Sequence, residues 1–398
     1  MINTDTKQIE QFLTRGVEKI YPNKDFVKKQ LLSGKKLKIY LGIDLTGPMH
    51  MGHIIPLRKL SELQKFGHEV TLLLGDFTAM IGDPTDKAAV RKQLTRKQTL
   101  NNGKLYKKQA TKFLNFGLFG AKLKYNSKWL DKMNFTDVVS LASKMTVQQM
   151  LERDMFQKRL EEKKPIYLHE FLYPLMQGYD SIAMNVDGEI GGNDQTFNML
   201  TGRNLVKEVL GKEKFVITMK LLEDPSGKKM GKTEGNAIFV SDSEFEMFGK
   251  VMSWPDGMIL RAFEICTDVS DKDIEKYKKD LESGVNPRDI KIILAKEIVK
   301  IYHDEEKAKK AEKNFIKTFQ KGGLPENLEE IKTENGKLLS ELLVENKIVS
   351  SKSDFRRLVI ENAVSNAVSG DKITDGNFKI HNNITLKVGK KRFVKIIL

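Results

Sequence analysis

Cysteine is almost absent from this chain. Cys266 stands alone among 398 residues, so neither an intrachain disulfide nor a cysteine-based zinc site is possible. No apolar run is long enough to cross a bilayer, and no membrane partner is expected. The first segment, MINTDTKQIEQFLTRGVEKIYP, is amphipathic and carries acids. It reads as neither a secretory signal nor a transit peptide. Internal repeats are missing as well. A cytoplasmic protein of two or three domains is the expectation these absences leave.

What the chain has in excess is positive charge, formally +15. Such a balance suggests a polyanionic partner, either nucleic acid or an anionic surface. Residues 336–398 hold twelve Lys and Arg against six Asp and Glu, so they supply +6 of it. Lysines are nevertheless spread widely, and a solvated surface accounts for many of them.

The organising stretch is KLKIYLGIDLTGPMHMGH, residues 36–53. Lys36 to Asp44 alternates polar and apolar residues as a strand does. After the turn Thr46-Gly47-Pro48, the segment from His50 to Gly67 repeats its apolar residues at helical spacing. His50 and His53 therefore sit at a strand-to-helix junction, where backbone N–H groups and the helix dipole favour bound phosphate. Gly52 allows close approach, and imidazoles can donate to phosphate oxygens. A metal site or two surface histidines would satisfy the same four residues. A second element, Lys229-Met230-Gly231-Lys232-Thr233, follows the turn Asp224-Pro225-Ser226-Gly227 and puts two lysines on a solvent-facing loop.

Elsewhere, residues 1–35 read as helical. Val70–Leu74 is a strand buried on both faces, 121–130 holds a short strand, and Thr136–Lys158 shows a long helical pattern. Strands alternating with helices indicate an α/β fold with a parallel sheet, whose ligands sit beyond the strand C-terminal ends. Asp44, Asp83 and Asn126 are expected there. From Asn286 the chain reads as one long charged helix up to Gly322-Gly323-Leu324-Pro325. An acidic polar stretch follows, then two helical segments and strands over Ile380–Val388 and Phe393–Leu398.

Together, HMGH and KMGKT resemble the HIGH and KMSKS signatures of class I aminoacyl-tRNA synthetases, and further residues are similar to the bacterial-type tyrosyl branch. The resemblance covers the whole chain. It implies a Rossmann-like catalytic domain over 1–230 with a connective, dimer-forming insertion at about 128–165. An α-helical anticodon-binding domain over 231–325, a linker at 326–335 and a small α+β S-four-like RNA-binding domain over 336–398 would follow. Two departures are visible. The turn between Thr46 and His50 is one residue short, and KMGKT mixes two family forms while keeping both lysines.

The resemblance also implies roles. Tyr173, Gln177 and Asp180, spaced to share one helical face, would form an amino-acid pocket. Asp180 would accept from a substrate phenol, with Tyr40 as its second contact. Tyr173, Gln177 and Asp83 would hold the α-ammonium, with Thr78 and Asn126 close by. Gly191-Gly192-Asn193-Asp194-Gln195 looks like the family's ribose loop, with Gln195 near the reacting carboxylate. Gly42, Asp44, Gly52, Gly192 and Asp194 would complete the ATP site. Thr46, His50, His53, Lys87, Arg91, Lys229, Lys232 and Thr233 would act on the phosphates, with Mg2+ arriving on ATP and no metal held by the protein. Taken alone, a polar helix face, an Asp-Pro turn or a Gly-Gly-Asn-Asp turn is ordinary structure. Lys352, Arg356, Arg357, Lys390, Lys391 and Arg392 would contact tRNA phosphates. A homodimer is implied by the family alone. Competing readings are a tryptophanyl-tRNA synthetase, a small adenylyltransferase, or an inactive synthetase kept as an RNA-binding protein.

Overall fold

A computed structural model describes residues 2–83, 94–231, 236–320, 328–389 and 392–398. It divides into two compact units, Met1–Asp304 and Glu305–Leu398. The first is built on strands β1 (Val17–Tyr21), β2 (Lys38–Asp44), β3 (Glu69–Gly75), β4 (Lys122–Tyr125), β5 (Gly188–Gly192) and β6 (Phe215–Met219). Their order across the sheet is β1-β6-β5-β2-β3-β4.

Strands β2 to β6 run parallel. The edge strand β1 runs antiparallel to β6, so the sheet is mixed and not wholly parallel. It also corrects the helical reading of 1–35. Helix is confined to Thr6–Phe12 and Lys24–Leu32, because Gly16 at φ +69° turns the chain out and Val17, Ile20 and Tyr21 favour a strand. Every residue from Val70 to Gly75 is buried.

The topology opens a cleft. From β2 the chain builds β3 and β4 on one side, then returns to add β5 and β6 on the other. Pairing of β2 with β5 is limited to Ile39–Gly188 and Tyr40–Glu189, whereas β2 pairs with β3 from Lys38 to Asp44. Beyond Tyr40 the two central strands part at the switch point of the sheet, where α/β folds bind ligands.

Two helical expectations break up. In place of one pattern over Thr136–Lys158 there are three helices, Phe135–Ala142, Val147–Leu151 and Asp154–Glu161. Thr146 ends the continuity by accepting from the Gln149 N–H as a new cap, an alternative that polar side chains offer the backbone. The charged helix after Asn286 is likewise two, Pro287–Tyr302 and Glu305–Gln320. His303 leaves helical geometry at φ −120° and ψ −99°.

The second unit carries its own sheet, ordered β7-β10-β9-β8, from β7 (Glu329–Lys332), β8 (Val364–Asn366), β9 (Ile384–Val388) and β10 (Arg392–Ile397). Helices Leu339–Glu345 and Lys352–Ile360 accompany it, and Leu339, Leu343, Phe355, Val394 and Ile396 are among its core residues. β7 lies inside the stretch expected to be a linker. It pairs parallel to β10 and buries Ile331. One inward side chain in four residues leaves no period for a sequence reading to find.

His68, in the core of the first unit, accepts the Leu37 N–H on Nδ1 at 3.3 Å. Burial lowers its pKa to about 4. The unfolded chain takes up this proton near pH 6.5 and the folded chain only near 4, so stability falls as pH drops through that window. A loss of about 1.5 kcal/mol between pH 6.5 and 5 is expected. Urea midpoints at both pH values, compared with those of His68→Gln, check it; equal slopes would remove His68 as the cause.

Candidate active site

A cavity of about 410 Å³ lies at the parting of β2 and β5. Tyr40, Gly42, Asp44, Thr46, His50, Gly52, His53, Thr78, Asp83, Asn126, Tyr173, Gln177, Asp180, Gly192, Asp194, Gln195 and Lys229 all line it. Lys87, Arg91, Lys232 and Thr233 lie outside the described residues.

One wall is the helix Leu168–Met184, whose spacing sets Tyr173, Gln177 and Asp180 toward the cavity. Asp180 is buried and accepts from Trp129 Nε1 at 2.7 Å and from Asn126 Nδ2 at 3.4 Å. Burial pushes its carboxyl well above the usual carboxylate range, and those two donors pull it back. Tyr40 stands inside β2. It is fully buried, with its hydroxyl 3.0 Å from Ser181 Oγ. Gln177 Nε2 donates to Glu189 Oε1 at 3.0 Å.

Asp44 is expected at the nucleotide, yet its carboxylate also makes two contacts on the amino-acid side. Tyr173 Oη donates to its Oδ2 at 2.9 Å and Thr78 Oγ1 to its Oδ1 at 2.6 Å. Gly75 makes this junction possible, since a Cβ there would stand 2.1 Å from Asp44 Oδ1 and 2.4 Å from Thr78 Oγ1. Asp83 accepts from Arg153 Nη2 at 3.2 Å, Gln195 Nε2 at 2.8 Å and Asn198 Nδ2 at 3.1 Å.

The opposite end suits phosphate. His50 caps the helix Met51–Lys65, its Nδ1 accepting the Gly52 N–H at 3.2 Å, while His53 Nδ1 accepts the His50 N–H at 3.2 Å. With Nδ1 an acceptor in both rings, each neutral imidazole carries its proton on Nε2 as a donor. Tyr106 Oη donates to the Gly47 carbonyl at 2.6 Å and steadies the turn before the histidines. Main-chain bonds from Met51 to Ile238 (2.9 Å) and from Val240 to Met49 (3.0 Å) tether the chain beyond the lysine loop to the histidine turn. Lys229 Nζ lies 3.1 Å from Asp194 Oδ2. A helix N-terminus, two imidazole donors and a lysine thus face one end of the cavity, and buried carboxylates and amides the other.

A family model described as "tRNA synthetases class I (W and Y)" matches residues 32–320. The chain belongs to this synthetase family. Its similarity to the tyrosine–tRNA ligase of Carboxydothermus hydrogenoformans is 45% identity, covering 99% of this chain and 98% of that one. The tyrosine–tRNA ligase of Thermotoga maritima is 42% identical over 99% and 98%. These relatives set the chain among the bacterial-type tyrosyl-tRNA synthetases. Its fold is similar to that of the tyrosyl-tRNA synthetase of Archaeoglobus fulgidus solved with L-tyrosine, at a TM-score of 0.60 and 24% identity over 77% of this chain and all of that one. A C-terminally truncated mitochondrial tyrosyl-tRNA synthetase from Aspergillus nidulans gives 0.65 and 23% over 79% and 94%. Synthetases of this family use ATP.

Several residues around the synthetase cavity escaped the sequence reading. Trp129 follows Asn126 by three positions, a spacing that turns both toward Asp180 once the short helix Ser127–Leu130 forms. Glu189 and Lys214 are charges beside or inside apolar strands, and such charges must find partners. That was a legible signal. Arg153 and Asn198 carry none, because their link to Asp83 joins segments far apart in the chain.

The basic residues of the second unit are less uniform than expected. Arg356 is exposed, but Lys352 pairs with Glu341 at 2.7 Å, and Arg357 pairs with both Asp354 and Glu361 at 2.8 Å. Arg392 donates to the carbonyls of Lys347 and Ile348, which ties it to the end of a helix. Lys390 and Lys391 lie outside the described residues.

Proposed function

We propose that this synthetase activates L-tyrosine with ATP and transfers the tyrosyl group to the 3′ end of its tRNA. The observation that carries the reading is the Asp180 carboxylate, buried in the cavity wall between Trp129 and Asn126 in a pocket that Tyr40 also lines. A buried acceptor with a hydroxyl as its companion suits a phenol. An indole N–H would leave the Tyr40 hydroxyl without a partner in the ligand.

The tyrosine carboxylate, ionised at neutral pH, attacks the α-phosphorus of ATP. The bond from that phosphorus to the bridging oxygen breaks, and pyrophosphate leaves. No general base is needed, so the protein's work is positioning and charge stabilisation. Tyr173, Gln177, Asp83, Thr78, Asn126 and Gln195 bind the amino acid. Gly42, Gly52, Gly192 and Asp194 bind adenosine and ribose, with Asp44 bridging the two groups. Thr46, His50, His53 and Lys229 act on the phosphates, joined by Lys87, Arg91, Lys232 and Thr233. Mg2+ accompanies ATP as part of the substrate. The helices after residue 231 and the basic second unit, with Lys352, Arg356, Arg357, Lys390, Lys391 and Arg392, bind tRNA.

The test is exchange of pyrophosphate into ATP with each of the twenty amino acids, without tRNA. Exchange with tyrosine alone is expected. Exchange with tryptophan would reassign the pocket, and silence from folded protein that still binds tRNA would favour an RNA-binding role.

The homodimer belongs to the same reading. Phe135, Val139, Val147, Leu160 and Leu168, in and just after the insertion, are exposed large apolar side chains, with Phe135 and Leu168 more than 80% exposed. A cluster of that kind on one segment favours a protein partner. Light scattering is expected to give twice the chain mass, and Phe135→Asp with Leu168→Asp should halve it.

A further inference from the structure

Behind the pocket wall lies a buried ion pair that the activity described above does not use. Lys214 is fully buried and Glu189 nearly so. Glu189 Oε2 accepts from Lys214 Nζ, and Glu189 Oε1 accepts from Gln177. Lys214 Nζ also donates to Ser181 Oγ at 2.7 Å, and Ser181 Oγ lies 3.0 Å from Tyr40 Oη.

The chemistry gives this chain a direction. An ammonium has three protons and no lone pair, so Lys214 can only donate to Ser181. Ser181 accepts from Lys214 on one lone pair, and either hydroxyl of the Ser181–Tyr40 pair can donate to the other; donation from Ser181 to Tyr40 is the arrangement that gives the serine proton a partner within this chain. Tyr40 accepts that proton's bond, and its own hydroxyl proton turns away from Ser181. Glu189 also lies close to Tyr40; its oxygens already accept from Gln177 and Lys214, and a carboxylate oxygen with one donor can still take a second, so Glu189 competes with the cavity for the Tyr40 proton. In that arrangement the Tyr40 proton has two directions left, the Glu189 carboxylate and the cavity that Tyr40 lines.

We infer that Lys214, Glu189 and Ser181 are positioning residues that make Tyr40 a hydrogen-bond donor to the substrate hydroxyl, and so set the preference for tyrosine over phenylalanine. The inference rests on the tyrosine-ligase reading. In it, the substrate phenol accepts from Tyr40 and donates to Asp180, and both halves of its hydroxyl are recognised. Phenylalanine can use neither.

The experiment measures kcat/KM for pyrophosphate exchange with tyrosine and with phenylalanine, using the full-length chain. Ser181→Ala, Tyr40→Phe and the double variant are compared with the parent. Ser181→Ala should lower the tyrosine-to-phenylalanine ratio roughly three- to tenfold, about one neutral hydrogen bond, through the tyrosine value alone. In the Tyr40→Phe background it should lower the ratio no further, since Ser181 acts through Tyr40. Ser181→Cys, a weaker donor of similar shape, should shift the ratio the same way if the alanine variant folds poorly. Equal losses for both amino acids, additive effects in the double variant, or an unchanged ratio in Ser181→Cys would overturn the inference. Absence of tyrosine exchange in the parent chain would instead overturn the ligase reading, and this inference with it.

Discussion

Asp180→Ala should lower kcat/KM for tyrosine-dependent pyrophosphate exchange by roughly a thousandfold, with tRNA affinity nearly unchanged. Three losses combine. The substrate hydroxyl loses a charged acceptor, a bond of about 1.5–3 kcal/mol. Trp129 Nε1, 2.7 Å from the carboxylate, is left with a buried and unpaired N–H. Asn126 Nδ2 loses its 3.4 Å contact but keeps Thr78 Oγ1 at 3.0 Å. One hydrogen bond to charge plus one orphaned donor amounts to about 4 kcal/mol, near three decades in rate. Filter binding of tRNA to the same protein is the control. An equal fall in tRNA affinity would show that Asp180 supports the fold at large and is not confined to the amino-acid pocket.

Lys214→Met should destabilise the first unit by about 3–5 kcal/mol, because it strands the Glu189 carboxylate in a dry interior. Lys214 is fully buried, and its Nζ touches Ser181 as well as Glu189. The surroundings are tight, since a Cβ on Gly202 would come within 2.8 Å of that Nζ. A fall in melting temperature on the order of 10 °C follows. Removing both charges, as in Lys214→Met with Glu189→Leu, should recover most of it, since a buried pair is often no more stabilising than apolar residues of similar volume. Thermal melts of the single and double variants decide the matter. A single variant melting within a degree or two of the parent would mean that water reaches this pair.

The two expectations differ in how legible their origins were. Asp180 shares a helical face with Tyr173 and Gln177, a local regularity, and the resemblance to the tyrosyl synthetases gave that face its role. The helix Met51–Lys65 and β3 were readable for the same reason: apolar period and turn residues act over a few positions. Trp129 and Ser181 were not singled out, because each matters through a partner on another element. The helical reading of 1–35 failed similarly. Val17–Tyr21 is a strand because β6 offers it an edge, and that edge is built some two hundred residues later.

Sequence alone determined the histidine turn at 50–53 and the run of strands and helices that follows it, and through the resemblance to class I synthetases it named many of the residues that line the cavity, Lys229 among them. The turn and the elements were legible because backbone propensity, capping and hydrophobic period are short-range. Tertiary structure alone decided that β2 and β5 pair only as far as Tyr40 and then part. It also decided that Asp44 binds Tyr173 and Thr78, and that Arg153 reaches Asp83. Those outcomes depend on how distant segments are brought together, where burying a charge is tolerated only if a partner arrives with it.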